Sequence, residues 1–293
     1  MQKVMKSTKK DISLILCIIY FCYLIFKIFI QKEIIMTNNS ILKIIYFFKI
    51  DKLLFCIPIL YYFIKNNKVN EYFKTNRKLN IGDFITYFAL IFWIDILLNF
   101  LVSFIGNIEE KKLIIHRPIY IEIIYAIFIA PILEEIIFRG VLMANLKKYG
   151  IKTAIIVSSL FFGLSHYNVY MIIPAFFVGI VLSYIAYKYS IKYSILIHLL
   201  INIVAKIPEI IFILKEEKNI FFLGMISILL FIFCLVFFII GLKKRNYRDV
   251  FSVFKLNEED RKNIVIFLKN NILYILVIFI IVFSNLLFNY RLF

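Results

Sequence analysis

The sequence predicts an all-α polytopic membrane protein, a bundle of eight or nine transmembrane helices around an intramembrane cavity. Three observations carry that prediction. Of the 293 residues 63% are hydrophobic, with a mean hydropathy of +0.91, whereas soluble domains hold about 45–50% apolar residues. The excess falls in blocks of Ile, Leu, Phe and Tyr of roughly twenty residues, the length that crosses ~30 Å of hydrocarbon. Only 8 Gly and 5 Pro interrupt the chain, so long helices are permitted. A soluble enzyme, a disordered chain and a disulfide scaffold are excluded, and a membrane β-barrel would alternate over about ten residues instead of running apolar for twenty.

In chain order, apolar spans fall at 12–30, 42–64, 83–105, 119–138, 153–166, 169–187, 193–213, 220–241 and 271–289. The first follows a basic start, MQKVMKSTKKD, but no small-residue cleavage site follows it, so an uncleaved helix is expected. Lys43, Lys49, Asp51 and Lys52 interrupt the second. The four cysteines (Cys17, Cys22, Cys56 and Cys234) lie inside apolar blocks without CxxC spacing and read as small buried hydrophobes.

Thirty-five Lys and Arg against 18 Asp and Glu give a formal charge of +17. The basic residues cluster between apolar blocks, before span 1, between spans 2 and 3, after span 4 and, most densely, from Lys243 to Lys262. With a cytoplasmic N-terminus all four clusters face the cytoplasm of a multi-pass protein of the cell membrane, where they meet anionic lipid head groups. No nucleic-acid-binding signature accompanies the charge. The polar stretch from Lys243 to Asn270 reads as an amphipathic surface helix.

Ionisable groups inside spans cost several kcal/mol unless partnered, so each is a functional candidate. The first set is Glu134-Glu135-Ile-Ile-Phe138-Arg139-Gly140. Glu135 and Arg139 are i,i+4 neighbours that can form an ion pair on one face, while Glu134 points about 100° away, free to face a cavity. The second is Phe161-Phe162-Gly163-Leu164-Ser165-His166. The third is His198-Leu-Leu-Ile-Asn202, which puts an imidazole and an amide on one helix face. With Gly150 as a hairpin turn, Glu134 lies sixteen positions before it and His166 sixteen after. Both then stand about 24 Å from the turn, at similar depth.

A carboxylate beside an imidazole in a dry cavity can hold and deprotonate a water. A second imidazole and an amide can donate to the oxyanion formed when that water attacks a peptide carbonyl. The same donors allow zinc, held by Glu134, His166 and His198, since two His and one Glu make a catalytic ligand set. No HExxH occurs, so such a site would be assembled from separate helices. The bland reading of each set, a snorkelling carboxylate pair, an interfacial histidine or a helix–helix hydrogen bond, competes with the chemical one.

EEIIFRG (134–140), FFGLSH (161–166) and HLLIN (198–202), in this order and spacing, resemble the CAAX protease and bacteriocin-processing (CPBP or Abi) intramembrane endopeptidases, with patterns EExxxR, FxxxH and HxxxN. Pro131 and GIVLSY (179–184) also fit. KYSIKYS (188–194) departs from the pattern, lacking an expected Thr-Gly turn. The resemblance divides the chain into N-terminal helices at 1–118, a catalytic core at 119–205, and C-terminal helices with a basic cytoplasmic loop at 242–270 within 206–293. It implies that Glu134 is the general base, assisted by His166. His198 and Asn202 would stabilise the oxyanion, and Glu135 and Arg139 would brace the site. It leaves both a glutamate-type and a zinc mechanism open. The implied substrate is a peptide or membrane-anchored protein, in bacteriocin immunity, peptide processing or surface-protein regulation. Two other classes compete. A non-catalytic scaffold binding a sensor or receptor would keep the polar cluster as architecture. A proton- or cation-coupled transporter would use it as an ion path, though no inverted repeat is present.

Overall fold

The computed structural model describes residues 74–105, 119–166, 169–214 and 217–270, together with Ile57, Tyr61, Ile272 and Leu276. The spans expected at 12–30 and 271–289, nearly all of that at 42–64, and Cys17, Cys22 and Cys56 lie outside the described residues. Among the described residues the chain is helical throughout, without a strand.

Helix α1, Ile81–Ile105, opens on a reciprocal cap. The Asp83 N–H donates to Asn80 Oδ1 at 2.7 Å, and Asn80 Nδ2 donates to Asp83 Oδ2 at 2.8 Å. Residues 119–146, α2, form one helical rod with two wide π turns, Tyr125–Ile129 and Ile136–Met143, either side of Ala130–Glu135. A π turn leaves carbonyls outside the regular ladder, and neighbouring helices claim them. Asn202 donates to Ala126 O at 2.7 Å, and Ser158 donates to Phe138 O at 2.7 Å. The span expected at 119–138 is therefore a bulged helix, not a regular one.

The rod ends in a 3-10 turn, Lys147–Tyr149, and Gly150 adopts φ 90°, a conformation that a residue with a Cβ rarely takes. The hairpin expected at Gly150 forms there. Helix α3, Ile151–Leu164, is 14 residues long, about 21 Å, and so stops short of a ~30 Å hydrocarbon layer. Its end places His166 inside the bundle.

Helices α4, Val169–Lys188, α5, Ile191–Leu214, and α6, Glu217–Lys243, follow. Ser190 makes the turn between α4 and α5 where Thr-Gly is missing, accepting from the Lys192 N–H through its hydroxyl at 3.3 Å. Among the described residues, three helices are long and apolar enough to cross a membrane: Ile81–Val102, Met171–Lys188 and Phe221–Lys243. The core centres on α3, with Ala154, Ile155 and Phe162 buried against α2 and α4. Helix α1 lies along α4 and α6, where Trp93 meets Phe231 with ring centroids 4.9 Å apart. Cys234 is buried and free, as its apolar setting predicts.

The polar stretch after α6 is not a single amphipathic helix. Arg245 turns the chain into α7, Asn246–Phe251, a 3-10 turn follows, and α8 spans Glu258–Asn270. Asn257 and Asp260 cap α8 reciprocally, at 2.7 and 3.1 Å. Lys152 pins α8 to the start of α3 through Asp260 at 2.9 Å, and Phe267 packs edge-on against Tyr149.

Candidate active site

The site grows from one face of α2. Glu135 and Arg139 are 0% and 1% exposed, and they form the ion pair their spacing predicts, Nη1 to Oε1 at 2.9 Å. A charge so buried is tolerated only when its remaining hydrogen-bonding capacity is met. Arg139 also donates from Nη2 to Gly179 O at 3.1 Å and from Nε to Ser183 Oγ at 3.3 Å. Its guanidinium lies 4.5 Å from the centre of the Phe162 ring. Glu135 accepts from Ser194 at 2.5 Å and from His198 Nδ1 at 2.9 Å. Both of its oxygens are thus occupied by donors from α2 and α5, and nothing is left to act on a substrate.

Gly179 makes the packing of α3 on α4 possible. A Cβ there would stand 3.0–3.2 Å from Phe162 and Ser159, too close without displacement. Its bare backbone carbonyl is the one that Arg139 reaches.

Glu134 differs from its neighbour. Its side chain is 29% exposed, and Oε2 faces His198 Nε2 at 3.7 Å, longer than a hydrogen bond. Because His198 Nδ1 donates its proton to Glu135, Nε2 is the nitrogen that looks toward Glu134. Position 198 lies seven residues into α5, about 10 Å from the α4–α5 turn, so the cluster sits beneath that end of the bundle.

His166 shares an aromatic neighbour with His198. Its Nδ1 lies 2.9 Å from Phe162 O, and the Phe162 ring meets His166 at 5.0 Å and His198 at 5.6 Å. Asn202 shares the helix face of His198 but spends an amide proton on Ala126 O, tying α5 to the first π turn. The structure therefore joins Glu135, Arg139 and His198 by direct bonds, sets Glu134 against His198, and leaves His166 and Asn202 flanking them.

Three contributors were not among the expected site residues. Phe162 is the hub touching Arg139, His166 and His198, and its signal was the i,i+4 spacing to His166 in FxxxH. Ser194 was legible only as part of an irregular turn sequence. Asp95, half-buried in α1 and bonded to Asn99 at 2.9 Å, lies within electrostatic range of His166. A carboxylate inside span 83–105 was its visible mark.

Zinc was the cofactor these donor types allow. Among the described residues no three His, Cys, Asp or Glu side chains converge on a point where a metal ion could bind. Glu134, His166 and His198 do not form a closed ligand set, so they do not fit zinc as arranged.

Residues 116–204 match the family described as type II CAAX prenyl endopeptidase Rce1-like, the CAAX protease family that the three motifs of this segment resemble. An uncharacterized protein of Mycoplasma capricolum subsp. capricolum is 29% identical over 195 residues, covering 58% of this chain. The match spans just over half of that relative, 57% of its length. No solved structure matches the chain.

Proposed function

We propose that this chain is a multi-pass endopeptidase of the cell membrane, N-terminus cytoplasmic, that hydrolyses a peptide bond with water activated by Glu134. The observation that carries the reading is the unequal state of two adjacent carboxylates. Glu135 is sealed and saturated, whereas Glu134 is 29% exposed and faces an imidazole. Position 134 also lies within the matched family segment, as the first glutamate of EEIIFRG.

In this reading a scissile carbonyl enters the intramembrane cavity in front of Glu134 and His198. Glu134 takes a proton from water as the water oxygen bonds to the carbonyl carbon, and His166 helps to hold that water. Electron density moves onto the carbonyl oxygen, which accepts hydrogen bonds from His198 Nε2 and the second amide proton of Asn202. With Nδ1–H committed to Glu135, donation from Nε2 requires a doubly protonated imidazole, and the Glu135 carboxylate stabilises that cation. Collapse of the intermediate breaks the C–N bond. Glu134 passes its proton to the leaving nitrogen, releasing an amine and a carboxylic acid. No step runs through a metal, so activity should survive dialysis against a chelator.

The substrate in this reading is a peptide or membrane protein presented from the bilayer, in bacteriocin immunity, peptide processing or surface-protein regulation. The test is mass spectrometry of membrane peptides in cells carrying Glu134→Gln or His166→Ala. Uncleaved peptide should accumulate in both at normal protein levels. An unchanged peptide profile with the cellular phenotype retained would assign the cluster to a non-catalytic scaffold.

A further inference from the structure

The basic end of the bundle holds a second polar feature, separate from the glutamate–histidine cluster. A cavity of about 340 Å³ opens where the turn before α1, the end of α4 and the α6–α7 turn meet. Five cations line it, Arg77, Lys78, Lys188, Lys244 and Arg245, against two carboxylates, Asp83 and Asp249.

Both carboxylates are already engaged. Asp83 accepts from Asn80 and Asn246, each at 2.8 Å, and Asp249 pairs with Lys188 at 3.0 Å. Arg77, Lys78, Lys244 and Arg245 are exposed, and none forms an ion pair with a described residue. Like charges gathered around one small cavity repel each other unless an anion sits among them. Arg245 is held at φ 59° and ψ 17°, the left-handed region that residues with a Cβ seldom adopt. At the cavity floor the buried Tyr87 and Tyr189 hydroxyls lie 3.4 Å apart. One phenolic proton satisfies that contact, which leaves the other to donate into the cavity. Donors thus outnumber acceptors in the lining.

We propose that this cavity binds a phosphate group, carried either by an anionic phospholipid head group at the membrane surface or by a small phosphorylated solute. Guanidinium forks match phosphate oxygens, and basic pockets between membrane helices on the cytoplasmic side suit phosphorylated head groups. The volume lies at the small end for ligand sites, which fits a head group rather than an acyl chain.

The experiment uses the full chain purified in a zwitterionic detergent. Thermal unfolding and native mass spectrometry follow addition of phosphatidylglycerol, cardiolipin, phosphatidylcholine, inorganic phosphate or pyrophosphate. Binding of the anionic lipids alone identifies the head group as the source, and binding of phosphate or pyrophosphate alone identifies a solute. The pair Arg77→Gln with Lys244→Gln should weaken whichever binds by roughly tenfold or more. The control pair Arg261→Gln with Lys262→Gln, on exposed positions of α8, should leave it unchanged. Equal weakening in both pairs, or equal binding of phosphatidylcholine, would overturn the proposal, as would no binding of any probe.

Discussion

Helices α4 and α6 are both apolar enough to cross a membrane, yet they sit oppositely in the fold. The span Phe221–Lys243 of α6 is the more hydrophobic, and only 6% of it is buried; Met171–Lys188 of α4 is less hydrophobic, and 56% of it is buried. In water the order would be reversed. In hydrocarbon the solvent welcomes Ile, Leu and Phe, so an unrelieved apolar surface has no reason to turn inward. What must turn inward are the groups that lipid cannot satisfy. Helix α4 carries Gly179 and Ser183, whose carbonyl and hydroxyl receive Arg139. Among the described residues, nothing lies within 4 Å of where a Cβ on Gly224 of α6 would be. Polarity and small size, rather than hydrophobicity, decide which helix joins the core.

The same contrast separates the two glutamates, and the largest expected effect tests it there. Glu134→Gln should lower the cleavage rate by about 10²–10⁴-fold with an unchanged unfolding midpoint, measured on purified protein in liposomes. An active variant would put the catalytic role elsewhere. Arg139→Met should do the reverse, destabilising the fold by about 3–5 kcal/mol because Glu135 is left buried without its cation. The double variant Glu135→Leu with Arg139→Met should recover part of that loss, and an undiminished midpoint in Arg139→Met would mean that the pair does not brace the fold.

A smaller effect compares the two helices directly. Gly179→Leu should cost about 1–3 kcal/mol through overpacking against Phe162 and Ser159. Gly224→Leu should stay within about 0.5 kcal/mol. Equal costs would show that α6 is covered as α4 is.

The smallest concerns the basic end. Burial opposes the Asp260 charge, but the Lys152 ammonium and the Asn257 backbone outweigh it and hold the carboxyl below its ordinary value. The contribution of this pair is therefore complete above the usual carboxylate range and is lost as pH falls through the lowered value. At its partly exposed site, with Lys152 30% and Asp260 13% accessible, it is worth on the order of 1 kcal/mol. Protection factors over 258–270, taken relative to the intrinsic exchange rate at each pH, should fall slightly on acidification, and Asp260→Asn should remove that dependence.

The sequence alone determined what local spacing controls. The five apolar spans from 83–105 to 220–241 outside 119–138 became helices close to their expected limits, because long apolar runs with little Gly or Pro have few other options. The turn at Gly150 and the Glu135–Arg139 pair followed from a permissive residue and from 3.6-residue periodicity. Tertiary structure alone decided the rest. Glu134 and Glu135 are neighbours of one type, and only the arrival of Ser194 and His198 from a helix nearly sixty residues away makes one sealed and the other available. The π turns of 119–146 depend on Ser158 and Asn202, which reach across to the carbonyls those turns release. The basic end becomes a cavity only where three turns distant in sequence converge. Each of these outcomes rests on hydrogen-bonding partners supplied across helices, and such partners are set by packing rather than by neighbours in the chain.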